Sequence, residues 1–251
     1  MPTDTSRGHT RRERLAARRA AETAARARAE RRRRTVLGGV GGGVVVLVAL
    51  VVLIVVQTHR TSTSASAAVP ANADGTVIAV GSADAPVTVD LYEDFQCPNC
   101  RAFEADSGNT LAQLVADGTV LARYHGMAFL DTSANDHYST RALNAAAVVL
   151  AHAGPEAFQT FHDLLFANQP AEGGAGLADD QLVEYARQAG ATGSAVRAQI
   201  HDLAYGDWVA QATDQASKEG VTGTPTLFVA GQQLEDISAA GLTAAVTAAA
   251  G

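Results

Sequence analysis

Cys97 and Cys100 are the only cysteines in 251 residues, and just Pro98 and Asn99 separate them. At that spacing two thiols suit reversible dithiol–disulfide exchange. A plain stabilising disulfide is the weaker reading, because closing so short a loop recovers little chain entropy. Half of a zinc site would need two more soft ligands, and no second cysteine pair supplies them, so no metal site is expected.

The flanking pattern says how the pair is held. Val87–Asp94 alternates apolar and polar residues, as a half-buried strand does. After the pair, Cys100, Phe103, Leu111, Leu114 and Val115 fall at helical spacing, and Gly118 ends the run. The cysteines therefore sit where a strand turns into a helix. Pro98 suits the first helical position, where a missing N–H costs nothing, and this makes Cys97 the N-cap. Its sulfur is then placed to accept from the N–H groups of Asn99 or Cys100 and to feel the positive end of the helix dipole. Such surroundings lower a cysteine pKa from about 8.5 to roughly 3.5–7.5. Cys97 is expected to be the nucleophile, and Cys100, one turn deeper, the resolving thiol.

Charge and hydropathy divide the rest of the chain. Residues 1–34 hold twelve arginines against four acids, a basic tail with too few large apolar residues to build a core. Thr35–Val56 is an uncharged Gly/Val/Leu-rich run of 22 residues. At 1.5 Å per residue it reaches about 33 Å, enough to cross a hydrocarbon core of about 30 Å. Arginines crowd its N-terminal side, which predicts a cytoplasmic N-terminus and an extracytoplasmic remainder. An uncleaved anchor is expected rather than a signal peptide, although Ala65-Ser66-Ala67 resembles a cleavage site, because tail and apolar run both exceed signal-peptide dimensions. Residues 57–75 read as a flexible linker of small and polar residues. Residues 76–251 form one domain of ordinary size, with 21 acids against six Lys/Arg. That acidity excludes nucleic acid as a natural partner. The basic tail beside the span is expected to meet anionic lipid headgroups.

Within the domain, strands are expected at Thr76–Val80, Val87–Glu93 and Val120–Phe129. A helical insertion follows at about residues 133–219, with helices over Tyr138–His152, Pro155–Asn168, Gln181–Ala189, Ala195–Leu203 (capped by Ser194) and Asp207–Glu219. A hairpin, Thr226–Val229 with Gln232–Leu234, and a last helix over Ser238–Ala250 close the chain. The histidines of the domain show no ligand spacing and read as surface or satisfied core residues. Trp208, Phe158 and Phe161 read as packing.

This order of elements resembles an α/β thioredoxin fold with an inserted helical subdomain, preceded by one transmembrane helix. More specifically, residues 76–251 are similar to the DsbA-like family of exported thiol–disulfide oxidoreductases. The likeness rests on Glu93-Asp94-Phe95-Gln96-Cys97-Pro98-Asn99-Cys100-Arg101, on Phe161-His162-Asp163-Leu164-Leu165-Phe166, and on Gly220-Val221-Thr222-Gly223-Thr224-Pro225-Thr226-Leu227-Phe228-Val229. It implies a cis Thr224–Pro225 bond lying against the disulfide, with Thr224's backbone free to pair with an extended substrate. It also implies no cofactor beyond the redox-active cysteine pair, exported substrate proteins with free thiols, and a quinone-coupled membrane protein that reoxidises the pair.

Two positions depart from the family. Its best-known strong oxidants carry Pro-His between the cysteines, whereas Pro98-Asn99 here offers no cation beside the thiolate. Many thioredoxin-fold enzymes also carry a buried acid six residues before the first cysteine, where this chain has Leu91. Asp90, Glu93 and Asp94 are the nearby carboxylates, and spacing does not choose among them. The expected activity is oxidation of cysteine pairs in exported proteins. The alternatives are a reductase or isomerase using the same residues, and a non-catalytic copper-delivery module.

Overall fold

The computed structural model describes residues 67–251. The basic tail, the apolar run Thr35–Val56 and most of the linker lie outside the described residues. Among the described residues no helix is long and apolar enough to cross a membrane.

A six-stranded mixed sheet is the frame. Its strands are β1 (Ala73–Asp74), β2 (Val77–Val80), β3 (Val87–Glu93), β4 (Val120–Gly126), β5 (Thr226–Val229) and β6 (Gln232–Gln233), in the order β1-β2-β4-β3-β5-β6. The central pair, β3 and β4, runs parallel in unbroken register from Val87 opposite Val120 to Glu93 opposite Gly126. A parallel pair needs a crossover, and the helix that follows the cysteines supplies it. Along β3 the expected alternation holds for the first five residues, with Val87, Val89 and Leu91 fully buried and Thr88 and Asp90 half-buried. It stops at Leu91, Tyr92 and Glu93, all buried, because both faces are covered there: Tyr92 packs on His125 and Phe228, and Glu93 pairs with His162 of the insertion.

The crossover is not one regular helix. α1 (Pro98–Phe103) passes into a π-helical turn at Glu104–Gly108 and then into α2 (Asn109–Ala116). Gly118, at φ +74°, ends it where Gly was expected to. The sheet also takes in residues assigned above to the linker. Asp74 pairs with Val77 across a tight turn at Gly75, so the folded part starts before Thr76. Two long-range bonds fix that start: Trp208 Nε1 donates to the Gly75 carbonyl at 2.8 Å and Asn72 Nδ2 to that of Leu150 at 3.1 Å.

The insertion between β4 and β5 is helical as expected. α3 (Tyr138–Ala167) is two helices joined at a kink, where Gly154 takes φ +85° just before Pro155. Its first half packs through Ala142, Ala145, Ala146 and Ala147, which are completely buried. Small side chains let neighbouring helices come close: α4 (Asp179–Gln188), α5 (Ser194–His201) and α6 (Gly206–Lys218) all pack on it. The buried Asn144 knits them further, donating to the carbonyls of Gln199 and Ile200 and accepting from the Tyr205 N–H. One cap is misplaced by the sequence reading. Ser194 is already the first helical residue, and Gly193 holds the cap because its φ of +109° favours glycine. The closing α7 (Ala239–Ala250) is capped by Ser238, whose hydroxyl accepts from the Gly241 N–H.

Leu91, in the middle of β3 and wholly buried, tests how much the frame rests on this strand. Leu91→Ala is expected to cost about 2–5 kcal/mol, read as a lower denaturant midpoint at constant slope.

Candidate active site

Four residues downstream of β3, Cys97 takes the extended cap conformation (φ −74°, ψ 118°) with Pro98 as the first residue of α1. The turn is tied on every side. The Cys97 N–H donates to the Asp94 carbonyl at 2.9 Å, and the Arg101 N–H to that of Cys97 at 3.2 Å. The completely buried Asp94 carboxylate accepts from the Gln96 N–H, the Ser139 hydroxyl and the Leu130 N–H, at 2.9, 2.6 and 3.1 Å. Burial pushes Asp94 up to about 6 against the pull of those three donors. Gln96, also fully buried, reaches the other way. Its Nε2 donates to the carbonyls of Ala171 and Gly174, and its Oε1 accepts from Asn135 Nδ2 at 2.6 Å. Gln169 Nε2 donates to the Cys97 carbonyl at 2.9 Å. The helical insertion is thereby clamped onto the cysteine turn.

The two sulfurs differ as a nucleophile and its resolving partner should. Hydrogen bonding from the Cys100 thiol holds Cys97 down to about 5, aided by the Thr224 hydroxyl and the Cys100 and Asn99 N–H groups, against partial burial. Neither N–H closes a capping bond of full geometry, so they act as oriented dipoles at the helix start. Cys100 is 1% exposed, and burial together with its bond to Cys97 pushes it far above the usual thiol range. Cys97 itself is only 7% exposed, yet it lines an open depression with Phe129, Leu130, Glu172, Gly223 and Thr224. The sulfur is recessed and still reachable.

On the far side stands the segment before β5. The Thr224–Pro225 peptide bond is cis, and the Thr224 carbonyl lies 3.3 Å from Cys97 Sγ, accepting from it when the thiol is protonated. Thr224 and Pro225 also border a second depression with Asn99, Phe103 and Ile237. Asn99 is exposed and lines both hollows.

A family model described as Thioredoxin matches residues 73–248. The chain belongs to the thioredoxin family. Among solved structures it is similar to the reduced form of the disulfide bond oxidoreductase DsbG from Mycobacterium tuberculosis, at 35% identity and TM-score 0.62, over 70% of this chain and 88% of that one. DsbA from the same organism matches at 33% identity and TM-score 0.60, over 70% of this chain and 98% of its own. These likenesses make residues 73–248 a DsbA-like thiol–disulfide oxidoreductase domain. A curated relative, the serine/threonine-protein kinase PknE of Mycobacterium tuberculosis, is 34% identical over 121 residues, 47% of this chain. The chain spans about a fifth, 21%, of that kinase's length.

In this DsbA-like domain the site-forming residues come from four separated segments. The structure brings together Cys97, Pro98, Asn99 and Cys100, expected from the local pattern, and Thr224 and Pro225, expected from the family resemblance. Gln96 and Gln169 carry no such signal, since a glutamine's partners across 70 residues leave no mark at short range, and among the nearby carboxylates it is Asp94 that braces the turn. The histidines divide. His137, His152 and His201 belong to the more exposed surface, whereas His125 pairs with Asp90 at 2.8 Å and the 1%-exposed His162 pairs with Glu93 at 2.9 Å. Glu93, Glu104 and His162 bring three donor atoms within 4.8 Å. Both oxygens of Glu93 engage His162 Nε2, and we read the grouping as an ion pair.

The depressed Cys97 value has a measurable sign. The stabilisation it lends the folded dithiol is present in full above the ordinary thiol value of 9.0 and is lost as pH falls through about 5. The reduced form should therefore gain on the oxidised form, in paired denaturation curves, as pH rises from 5 to 9. Iodoacetamide labelling of the reduced protein should follow a titration centred near pH 5 and mark Cys97 alone at neutral pH. Labelling centred above pH 8 would remove the thiolate assignment.

Proposed function

We propose that this protein oxidises cysteine pairs in exported proteins from the outer side of the cytoplasmic membrane. The observation that carries the reading is the recessed Cys97 sulfur, stabilised as a thiolate by the Cys100 thiol and the Thr224 hydroxyl. A good leaving thiolate makes the Cys97–Cys100 disulfide an oxidant, because reduction ends in a stable anion.

The steps balance as follows. A substrate thiolate attacks Cys97 Sγ in the oxidised pair, the Cys97–Cys100 bond breaks, and Cys100 leaves with the electron pair and takes a proton. A second substrate thiolate then attacks its partner sulfur in the mixed disulfide. The product disulfide departs, and Cys97 remains as the thiolate. Thr224 is the docking strand: its backbone pairs with the extended substrate while Pro225 packs against the reacting sulfurs. Pro98 and Asn99 tune the pair from the start of α1. The cysteine pair is itself the redox group, with no other cofactor, and a quinone-coupled membrane protein restores it. The basic tail (1–34) lies in the cytoplasm against anionic headgroups, Thr35–Val56 spans, and the catalytic domain faces outward.

One observation favours a second reading. Asn99, exposed beside the sulfur, carries no charge, so the thiolate lacks the cation that the family's strong oxidants place there. A less oxidising pair suits a reductase or isomerase. Equilibration of the full chain with glutathione buffers separates the two. We expect a potential between the DsbA and thioredoxin values of about −120 and −270 mV, on the oxidising side, together with accelerated disulfide formation in a reduced, unfolded substrate. A potential at the thioredoxin end, with no acceleration, would overturn the oxidase direction. Cys97→Ser should abolish the activity.

A further inference from the structure

Disulfide exchange at this site leaves one proton without an obvious route. Each time the Cys97–Cys100 bond opens, the buried Cys100 sulfur must be protonated, and each time it closes that proton must leave. The family's usual acid position is occupied by Leu91, which is completely buried and apolar. Asp94 is already engaged as a brace, its carboxylate accepting from three donors that hold the turn.

A different set of groups lies between the surroundings of Cys100 and the surface. Glu93 precedes Asp94, whose N–H supports the Cys100 sulfur, and the charge of Glu93 opposes the ionisation of Cys100. Glu93 holds His162 Nε2 with both carboxylate oxygens, at 2.9 and 3.0 Å, and both residues are essentially buried. The other ring nitrogen, Nδ1, lies 3.5 Å from Asp163, whose side chain is 69% exposed. The imidazole thus connects an interior carboxylate to a solvated one, an arrangement in which either nitrogen gives or takes a proton.

Glu104 flanks this line. It stands four residues after Cys100 on the same helical run, where side chains at that spacing are neighbours. Its Oε1 is buried with no hydrogen-bond partner. Its Oε2 occupies the space over Gly108 that a Cβ would fill, and the intervening turn is π-helical, a feature often found at functional positions. An unpartnered carboxyl kept in a purpose-shaped place is costly for stability alone. The charged and titratable groups around it are Glu93 on β3, Tyr124 on β4, His162 and Asp163 on α3, and Arg101 on α1. Burial pushes Glu104 up to about 7, while Glu93 and Glu104 outweigh burial and hold His162 well above the usual histidine range. Glu104 and Asp163 open onto a groove of about 370 Å³ beside Arg101 and Gly108, and neither Cys97, Thr224 nor Pro225 lines it.

We propose that His162, joined to Glu93 inside and Asp163 outside and flanked by Glu104, carries the proton exchanged by Cys100, through a groove separate from the substrate face. The proposal rests on the disulfide-exchange reading above. As the Cys97–Cys100 bond breaks, the Cys100 thiolate takes a proton from this cluster, which recovers one from solvent through the groove. On closure the Cys100 thiol returns its proton by the same path, and its sulfur attacks Cys97 in the mixed disulfide, breaking that bond and expelling the partner sulfur as a thiolate. The substrate therefore does not block the exchange of protons.

The test follows the full chain, reduced and mixed rapidly with glutathione disulfide, with acid quenching and mass analysis. Two steps separate: formation of the Cys97–glutathione mixed disulfide, and its resolution by Cys100. In the unaltered protein resolution should accelerate as pH rises through about 7, because the accepting carboxylate must be free. Glu104→Gln and His162→Gln should slow resolution tenfold or more and flatten that rise, while formation of the mixed disulfide stays within twofold. Asp163→Asn alters an exposed side chain, so folding is spared, and should slow resolution about threefold. Unchanged resolution in Asp163→Asn, or an intact pH rise in folded Glu104→Gln, sinks this route but leaves the exchange reading standing. Absence of any mixed disulfide in the unaltered protein would bring down both.

Discussion

The structure depends on keeping a negative charge on a sulfur that is almost surrounded by protein. A thiolate at the position of Cys97 loses most of its hydration, and oriented donors must replace it: the Cys100 thiol, the Thr224 hydroxyl and the first N–H groups of α1. None of these comes at the cost of a counter-charge. Neutral dipoles stabilise the anion without tying it into an ion pair, so the sulfur remains free to attack and to leave. The same helix start sets the contrast with Cys100, which lies one turn further in and has only the interior around it.

Such dipoles act only if they are held still. The turn that carries Cys97 is short, and its rigidity comes from segments distant in the chain. Asp94 gathers donors from its own turn, from the loop after β4 and from the start of α3. Gln96 and Gln169 fasten the loop between α3 and α4 to the turn from opposite sides. The helical insertion is therefore more than an ornament on the sheet: it forms one wall of the site and fixes the carbonyl of the reactive residue. Thr224, delivered by the segment before β5, forms the opposite wall.

Burial acts in opposite senses within a few residues. Asp94 and Glu104 are both carboxylates raised by desolvation. Asp94 is compensated by three hydrogen bonds and serves as a brace. Glu104 keeps an unpartnered oxygen beside the Glu93–His162 pair, where the proposed proton route runs. Identical chemistry thus takes structural or proton-handling character according to how completely its hydrogen-bonding capacity is filled.

Much of the fold was legible because it depends on local regularities. The alternation of β3, the Cys97–Pro98 cap, the stop at Gly118 and the Ala230–Gly231 hairpin are each decided by neighbours a few residues apart. The placement of Cys97 at the start of α1, with Cys100 one turn deeper, followed from the same rules. Less was legible where a local preference was overruled, as at Ser194, displaced from the cap by Gly193, or where regularity was broken, as at the π turn after Phe103. The partners of Gln96, Gln169, His162 and Glu104 were not legible at all. A glutamine or histidine has no periodic signature, and its partner is chosen by which surfaces the packed helices bring together. Sequence by itself determined which two thiols stand together and on what kind of element they sit. Only the tertiary structure decided which distant groups fill their solvation shells, since desolvation and hydrogen bonding are properties of the assembled interior.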